Sequence, residues 1–468
     1  MNADQILRLV SESGIEQIRI AWCDLHGELR AKSIMPCALE SALKNGIGMV
    51  GTQALKDTSD RTAFKVFEAD GLAHLPLLND FAQASNFIVK PILESFKILP
   101  WAPRTAWLQA QMMGSNSQPI AVDTRGILQK ALSALEEKGY GLRCGLEIEF
   151  HIYTIENARP QIDPELAAWP GLPPAVSMIH PGYRLLSERN LDLADEPLQI
   201  VRSTCAALGL PLTSLEVEFG PSQVEAVFEV QDALAAADSM VLFRSAATQA
   251  LQRAGYHATF MCRPPFPHIM SSGWHLHQSL VDLKTGGNAF AGSPNKALSQ
   301  AGMHWLAGLL AHASGICALA NPTLDAYERF KPNALAPTRA NWGVDSRSAM
   351  LRVITAESHS AREATRIENR IGSPLANPYL YLASQIHAGI DGLANQLQPP
   401  KADDTSAAGL PANLSEALEA LQANAAMNQG FGKQILAWFA QIKRQEVSRY
   451  EAAPDKADWI RREYFSRF

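Results

Sequence analysis

An α+β fold is predicted from three features of the sequence. The chain has 468 residues, too many for one ordinary core and enough for two. Hydrophobic residues make up 47% and charged residues 19%, the balance of a globular chain with a buried interior. Several short segments alternate apolar and polar residues, as antiparallel strands with one covered face do, and others carry the 3.6-residue period of helices.

The elements follow in order. Residues 4–12 read as an amphipathic helix broken at Gly14, and Ile18 to Trp22 as a strand ending at the turn Asp24-Leu25-His26-Gly27. Short strands and turns continue to about residue 110. Ile98 to Pro103, stiffened by two prolines, reads as a boundary. Asp123 to Gly139 is a helix, because Ile127, Leu128, Ala131, Leu132 and Leu135 recur at helical spacing. From there strands alternate with helices. Trp305 to Ala320 is apolar but contains His312 and many small residues, so a buried helix is expected rather than a membrane span. Residues 396–413, rich in Pro, Ala, Asp and Ser, read as a surface loop. The expected division is an N-terminal domain over 1–112 and a larger one over 113–468.

The net charge of −6 disfavours a nucleic-acid footprint, which needs a basic excess or stripe. The six cysteines are scattered and form no CxxC pair, which points to a reducing, cytoplasmic setting rather than a zinc knuckle or disulfide framework. The N-terminus carries an acid and lacks the basic start and apolar core of a secretory signal.

Chemistry concentrates in five strand-like segments. Side chains two apart share a face of a strand. Glu147, Glu149 and His151 therefore share one face, opposite Leu146, Ile148 and Phe150. Glu216 and Glu218 pair likewise, as do Gln223 and Glu225 after the Gly220-Pro221 turn. His275, His277 and Ser279 share a face, and so do Arg366, Glu368 and Arg370. A solvated face would carry Lys and Thr, yet these segments contain no Lys. Carboxylate oxygens with one imidazole suit Mg²⁺ or Mn²⁺, two or three per site, better than zinc. Arginine forks suit phosphate and carboxylate, so the set fits metal-assisted phosphoryl transfer from ATP. No GxxxxGK[ST] loop or GxGxxG-helix is present, so a P-loop or Rossmann site is not expected. His151 is expected behind the ligands or in the core, Glu216 as solvated or structural, and His180, His268 and His359 on the surface.

These segments resemble glutamine synthetase. The resemblance is carried by Gly145 to Phe150, Glu218 to Glu225, Ser272 to Ser279, Asn321 to Arg329, Arg347 to Arg352, and Arg366 to Arg370 followed by Ala376 to Tyr379, in order across residues 123–393. It implies a small β-grasp domain, a catalytic domain built on an antiparallel sheet or half-barrel with flanking helices, and active sites shared between subunits of a double ring. It places Glu149, Glu218 and Glu225 on one metal ion, and Glu147, His275 and Glu368 on another. Arg329, Arg370 and Gly273 would hold glutamate. His277, Ser279, Arg347, Arg352 and Arg366 would serve ATP. Glu218, Arg329 and Arg347 would act on the reacting groups.

Two positions depart from the family pattern. Val50 and Leu335 stand where that family has acids that bind and deprotonate ammonium. A buried ammonium without a negative partner is unfavourable by several kcal/mol. An apolar amine pocket is therefore expected around Val50 and Leu335, with Phe330 and Trp342 nearby. No counterpart of the family's adenylylation tyrosine stands in the 396–413 loop. The expected product is a γ-glutamyl amide of an aryl or short alkyl amine, formed through γ-glutamyl phosphate. The alternatives are an ammonia-using enzyme, a polyamine ligase, a silent scaffold, and a metal hydrolase using His275 and His277; the last would act without ATP.

Overall fold

The computed structural model describes residues 1–68, 70–114, 117–156, 168–293, 296–331, 335–355 and 363–468. His359 lies outside them, as do residues 332–334 just before Leu335. Among the described residues, the strands form two sheets.

The first sheet holds β1 (Gln17–Cys23), β2 (Leu29–Ile34), β3 (Ile47–Val50), β4 (Asn86–Pro91), β5 (Lys97–Ile98) and β6 (Thr105–Met113). Its order is β2-β1-β6-β4-β3, with β5 on β6. β1 and β6 run parallel and the other pairs antiparallel. The Ile98–Pro103 segment therefore sits inside this sheet rather than at a boundary. Its two prolines turn the chain between β5 and β6, which pair with one another. The expected N-terminal helix spans Ala3–Glu12, held by a capping box between Asn2 and Gln5.

The second sheet holds β7 (Tyr140–Ile155), β8 (Val176–Met178), β9 (Leu212–Val217), β10 (Gln223–Asp232), β11 (Tyr256–Thr259), β12 (Trp274–Asp282), β13 (Trp342–Val344), β14 (Leu351–Ile354) and β15 (Arg366–Gly372). Its order is β13-β14-β15-β12-β7-β10-β9, with β8 and β11 also on β7. Every pair except β13–β14 is antiparallel. Helices cover one face. Phe150 on β7 stacks on Phe260 at 4.9 Å and meets Phe243, on the helix Ala233–Arg253, edge-on at 5.8 Å. The opposite face of β7 is left to its polar residues.

The expected helix over Trp305–Ala320 is two helices, Gln300–Ala311 and Ala313–Ala320, bent by 74°. His312 sits at the corner, where its Nε2 meets Asp391 at 2.8 Å and its Nδ1 meets Asn424 at 3.1 Å. A side chain with two fixed partners in different elements holds the break. No single helix among the described residues is long and apolar enough to cross a membrane.

Candidate active site

Register assembles the charged residues. Across β7 and β10, Glu149 faces Glu225. Across β7 and β12, Glu147 faces His275. His277 faces Glu368 across β12 and β15, and Arg352 faces Glu368 across β14 and β15. The pleat puts all of them on the face away from the helices. His275 is the hub: its Nδ1 lies 3.3 Å from Glu147, 3.8 Å from Glu225 and 3.9 Å from Glu368, and its Nε2 lies 3.5 Å from Glu149. His277 Nε2 is 2.9 Å from Glu147.

Among the described residues, two sets of donors converge closely enough to hold one ion each. They are Glu147, His275 and Glu368, and Glu149, Glu225 and His275, each with ligand atoms within 4.8 Å of one another. The first set matches the expected grouping. In the second, His275 stands where Glu218 was expected. Glu218 lies just beyond β9, where its N–H donates to Gln223 O, and it lines the same cavity.

The electrostatics fit a cation site. Burial pushes the Glu225 carboxyl up to about 10, with Glu149, Glu147 and Glu218 adding repulsion. Burial, then Glu149, raises Glu218 to about 7. Glu147 is opposed by burial, yet its bonds to His275 and His277 hold it well below the usual carboxylate range. Glu368 is also opposed by burial but lowered by His275 and Arg370. Opposed like charges of this kind call for positive charge between them.

The arginines complete the floor. Arg329 is buried, and its Nη1 donates to Ile371 O at 3.1 Å and Gly372 O at 2.6 Å. Its Nε has no partner. Arg370 pairs with one Glu368 oxygen and Arg352 with the other. Arg352 also pairs with Asp345. Arg366 donates to His277 Nδ1 at 3.0 Å. Arg347 is exposed at the rim.

Two cavities result. The larger, about 1,090 Å³, is floored by these carboxylates with Arg329, Arg347, Arg352 and Arg370. The smaller, about 260 Å³, is lined by His277, Ser279 and Arg366 with Arg143 and the apolar Val227, Phe228 and Val230. Glu147 and Val227 line both. The residues expected to serve ATP are therefore divided between two adjoining spaces.

Several residues take positions that the sequence did not give. Gly273 has both backbone groups engaged with Glu149, its N–H donating to Oε2 at 2.8 Å and its carbonyl accepting from the Glu149 N–H at 3.0 Å. A Cβ there would lie 2.5 Å from Arg329 Nη2, so the absence of a side chain at Gly273 admits the guanidinium. Gln223 fixes Glu149 from behind, its Nε2 donating to Oε2 at 3.0 Å, while its own Oε1 accepts from the Gly220 N–H. Its place on the ligand stripe, two residues before Glu225, was its only sequence signal. His151 is buried, with Nδ1 3.2 Å from Ser272 Oγ, and burial lowers it to about 3, so it stays neutral behind the site. Glu216 lines the larger cavity and accepts from Ser214 Oγ at 3.0 Å.

The surface expectation holds for His268 but not for His180. His180 is buried, its Nε2 3.1 Å from Gln223 O, because its loop folds over the β9–β10 turn. Leu335 lines the larger cavity and is 70% exposed. Val50 is 42% exposed and does not line it within this chain. Phe330 and Trp342 do not line it either. Trp342 is buried, donating to Pro400 O, and Phe330 packs edge-on against Tyr327.

Over residues 121–464 the chain matches the glutamine synthetase catalytic domain. It belongs to the glutamine synthetase family. A γ-glutamylanilide synthase of Acinetobacter sp is 36% identical over 99% of this chain and 95% of the relative. A glutamate–isopropylamine ligase of Pseudomonas sp is 28% identical over 96% and 95%. The solved structure of apo GmaS superposes with a TM-score of 0.78 at 28% identity, covering 98% of each chain. The chain is thus an ATP-dependent ligase that joins glutamate to an amine, in a family that uses divalent metals. The two donor sets above have the composition such ions require.

Proposed function

We propose that the amine is organic and apolar, aryl or short alkyl, and that ammonia is not the preferred substrate. The observation that carries this is Leu335: it lines the same cavity as the carboxylates and arginines, an aliphatic side chain at a place where an ammonium cation would need an acid. The similarity to a γ-glutamylanilide synthase and to a glutamate–isopropylamine ligase supports it.

In this reading Arg329 and Arg370 hold the glutamate carboxylates, and Arg347 and Arg352 the phosphates. The nucleotide base lies against Val227, Phe228 and Val230 in the smaller cavity, near His277, Ser279 and Arg366. Mg²⁺ or Mn²⁺ bound to the two donor sets would neutralise the clustered carboxylates and the phosphate oxygens. The γ-carboxylate of glutamate attacks the terminal phosphorus of ATP, giving γ-glutamyl phosphate and ADP. The amine nitrogen then attacks the carbonyl carbon of the activated γ-carboxyl group, the C–N bond forms, and the C–O bond to phosphate breaks. Glu218 accepts the proton that the nitrogen loses. A weakly basic amine arrives already neutral, so little further acid–base assistance is needed. Val50 reaches a pocket of this kind from a neighbouring subunit of a ring assembly.

Phosphate release with ATP, glutamate, Mg²⁺ or Mn²⁺ and a series of amines tests the reading. Release with an aryl or alkyl amine should exceed release with ammonium at equal concentration. Ammonium matching or beating every organic amine would sink it.

A further inference from the structure

The larger cavity has a second apolar side that the sequence did not reveal. Leu185, Leu186, Phe219 and Met270 all line it. Leu185 is 56% exposed and Leu186 61%, so both are large apolar side chains facing open space beside a charged floor. Isolated exposed leucines are ordinary. Two in succession on the wall of a cavity that Phe219, Met270 and Leu335 also line are a concentration of apolar side chains in one space.

The backbone holds this patch in place. Residues 179–187 are tied to the β9–β10 turn by four hydrogen bonds besides the contact of His180 Nε2 with Gln223 O. The Tyr183 N–H donates to Phe219 O at 2.7 Å, and the Leu186 N–H to Val217 O at 3.2 Å. The Ile179 N–H donates to Ser222 Oγ at 2.9 Å, and the Ser222 N–H to His180 O at 3.1 Å. Gly182 makes this approach possible, because a Cβ there would lie 2.4 Å from the Pro221 nitrogen. The same turn carries Glu218 at one end and leads into Glu225 at the other. The leucines are thus fixed relative to the reacting end of the site. Leu186 and Leu335 both adopt left-handed backbone, at φ 54° and 59°, a conformation that disfavours branched side chains. Backbone of this kind is held only where surrounding structure imposes it, and it clusters at ligand sites.

We propose that Leu185 and Leu186, with Phe219 and Met270, form the wall that seats an aromatic ring of the amine and so select arylamines. The proposal rests on the organic-amine reading above. A flat ring suits a wall made of aliphatic side chains, one aromatic ring and one thioether, since sulfur and ring edges both favour contact with an aromatic. None of these four side chains carries a charge or a strong hydrogen-bonding group, so together they reward an apolar body more than a small or charged amine. A methylene in an apolar pocket changes discrimination by roughly ten-fold or more, and a half-open wall lies at the low end.

The test compares kcat/KM for aniline, isopropylamine, ammonium and hydroxylamine in the wild-type enzyme and in Leu185→Ala and Leu186→Gly. Glycine at 186 suits the left-handed backbone, so the strap keeps its shape. Hydroxylamine is small, intercepts γ-glutamyl phosphate without a wall, and reports on folding and activation in the same assay. The expected result is a loss of about five-fold or more with aniline and a change of less than about two-fold with hydroxylamine. Equal losses with both nucleophiles, or no loss with aniline, would overturn the wall while leaving the organic-amine reading intact. A wild-type preference for isopropylamine over aniline overturns the arylamine assignment. A wild-type preference for ammonium overturns both readings.

Discussion

Glu225→Gln should stabilise the metal-free protein at alkaline pH and weaken its response to divalent ions. Glu225 is buried among Glu149, Glu147 and Glu218, which together with burial raise it from 4.5 to about 10. Between those values the folded chain keeps a proton that the unfolded chain has released. Wild-type metal-free stability therefore falls as pH rises through that window. At about pH 8.5 the span from 4.5 is about four units, and at 1.36 kcal/mol each the penalty is at most about 5 kcal/mol. The neighbouring acids share the proton, and a glutamine amide must find partners of its own, so a net gain of about 1–2 kcal/mol is expected. At about 2.1 cal/mol/K per residue, a chain of 468 residues shifts by about 1 °C per kcal/mol. Calorimetry on chelated protein should show the variant melting about 1–2 °C above wild type near pH 8.5, with a smaller gap near pH 6.5. Adding Mn²⁺ should raise the wild-type midpoint more than the variant's, because binding displaces the proton in one case and has lost a ligand in the other. A metal-free variant that melts below wild type near pH 8.5, or an equal response of both to Mn²⁺, would refute the placement of Glu225 in a cation site.

Three other changes test other parts of the geometry. Gln223→Leu removes the bond to Glu149 Oε2 and should weaken Mn²⁺ binding by about 10- to 100-fold in a calorimetric titration; affinity within two-fold of wild type would deny Gln223 its positioning role. Gly273→Ala puts a methyl group 2.5 Å from Arg329 Nη2 and should raise the glutamate KM by about ten-fold or more, read from initial rates at saturating ATP, with little change in melting temperature. Leu335→Glu combined with Val50→Asp should move the amine preference toward ammonium; an unchanged ratio of the two kcat/KM values would remove both residues from the amine pocket.

Much of the site was legible because strand periodicity is local. Alternation alone placed Glu147 with Glu149 and His275 with His277, and backbone pleat carries such pairs to one face without help from elsewhere. Register was not legible. Which glutamate faces which histidine depends on how β7, β10, β12 and β15 slide past one another, and the apolar faces of all four read alike. Only the structure shows that His275 belongs to both donor sets and that Glu218 sits just past the end of β9, lining the same cavity. The closeness of Gly273 to Arg329 was not legible either. The resemblance named Gly273 as a glutamate contact, and only the three-dimensional path of Arg329 shows what else needs the space beside it.

By itself the sequence determined the chemistry. The acids, imidazoles and arginines, and the aliphatic residues at Val50 and Leu335, are facts of residue type, and charge dictates that such a set binds cations and anions. Tertiary structure decided what surrounds that chemistry. Leu185 and Leu186 carry no periodic pattern and lie between elements, so nothing local distinguishes them from any loop leucines. They become a wall only because a set of hydrogen bonds and one close glycine contact fold their segment against the turn that holds Glu218, tens of residues away in sequence.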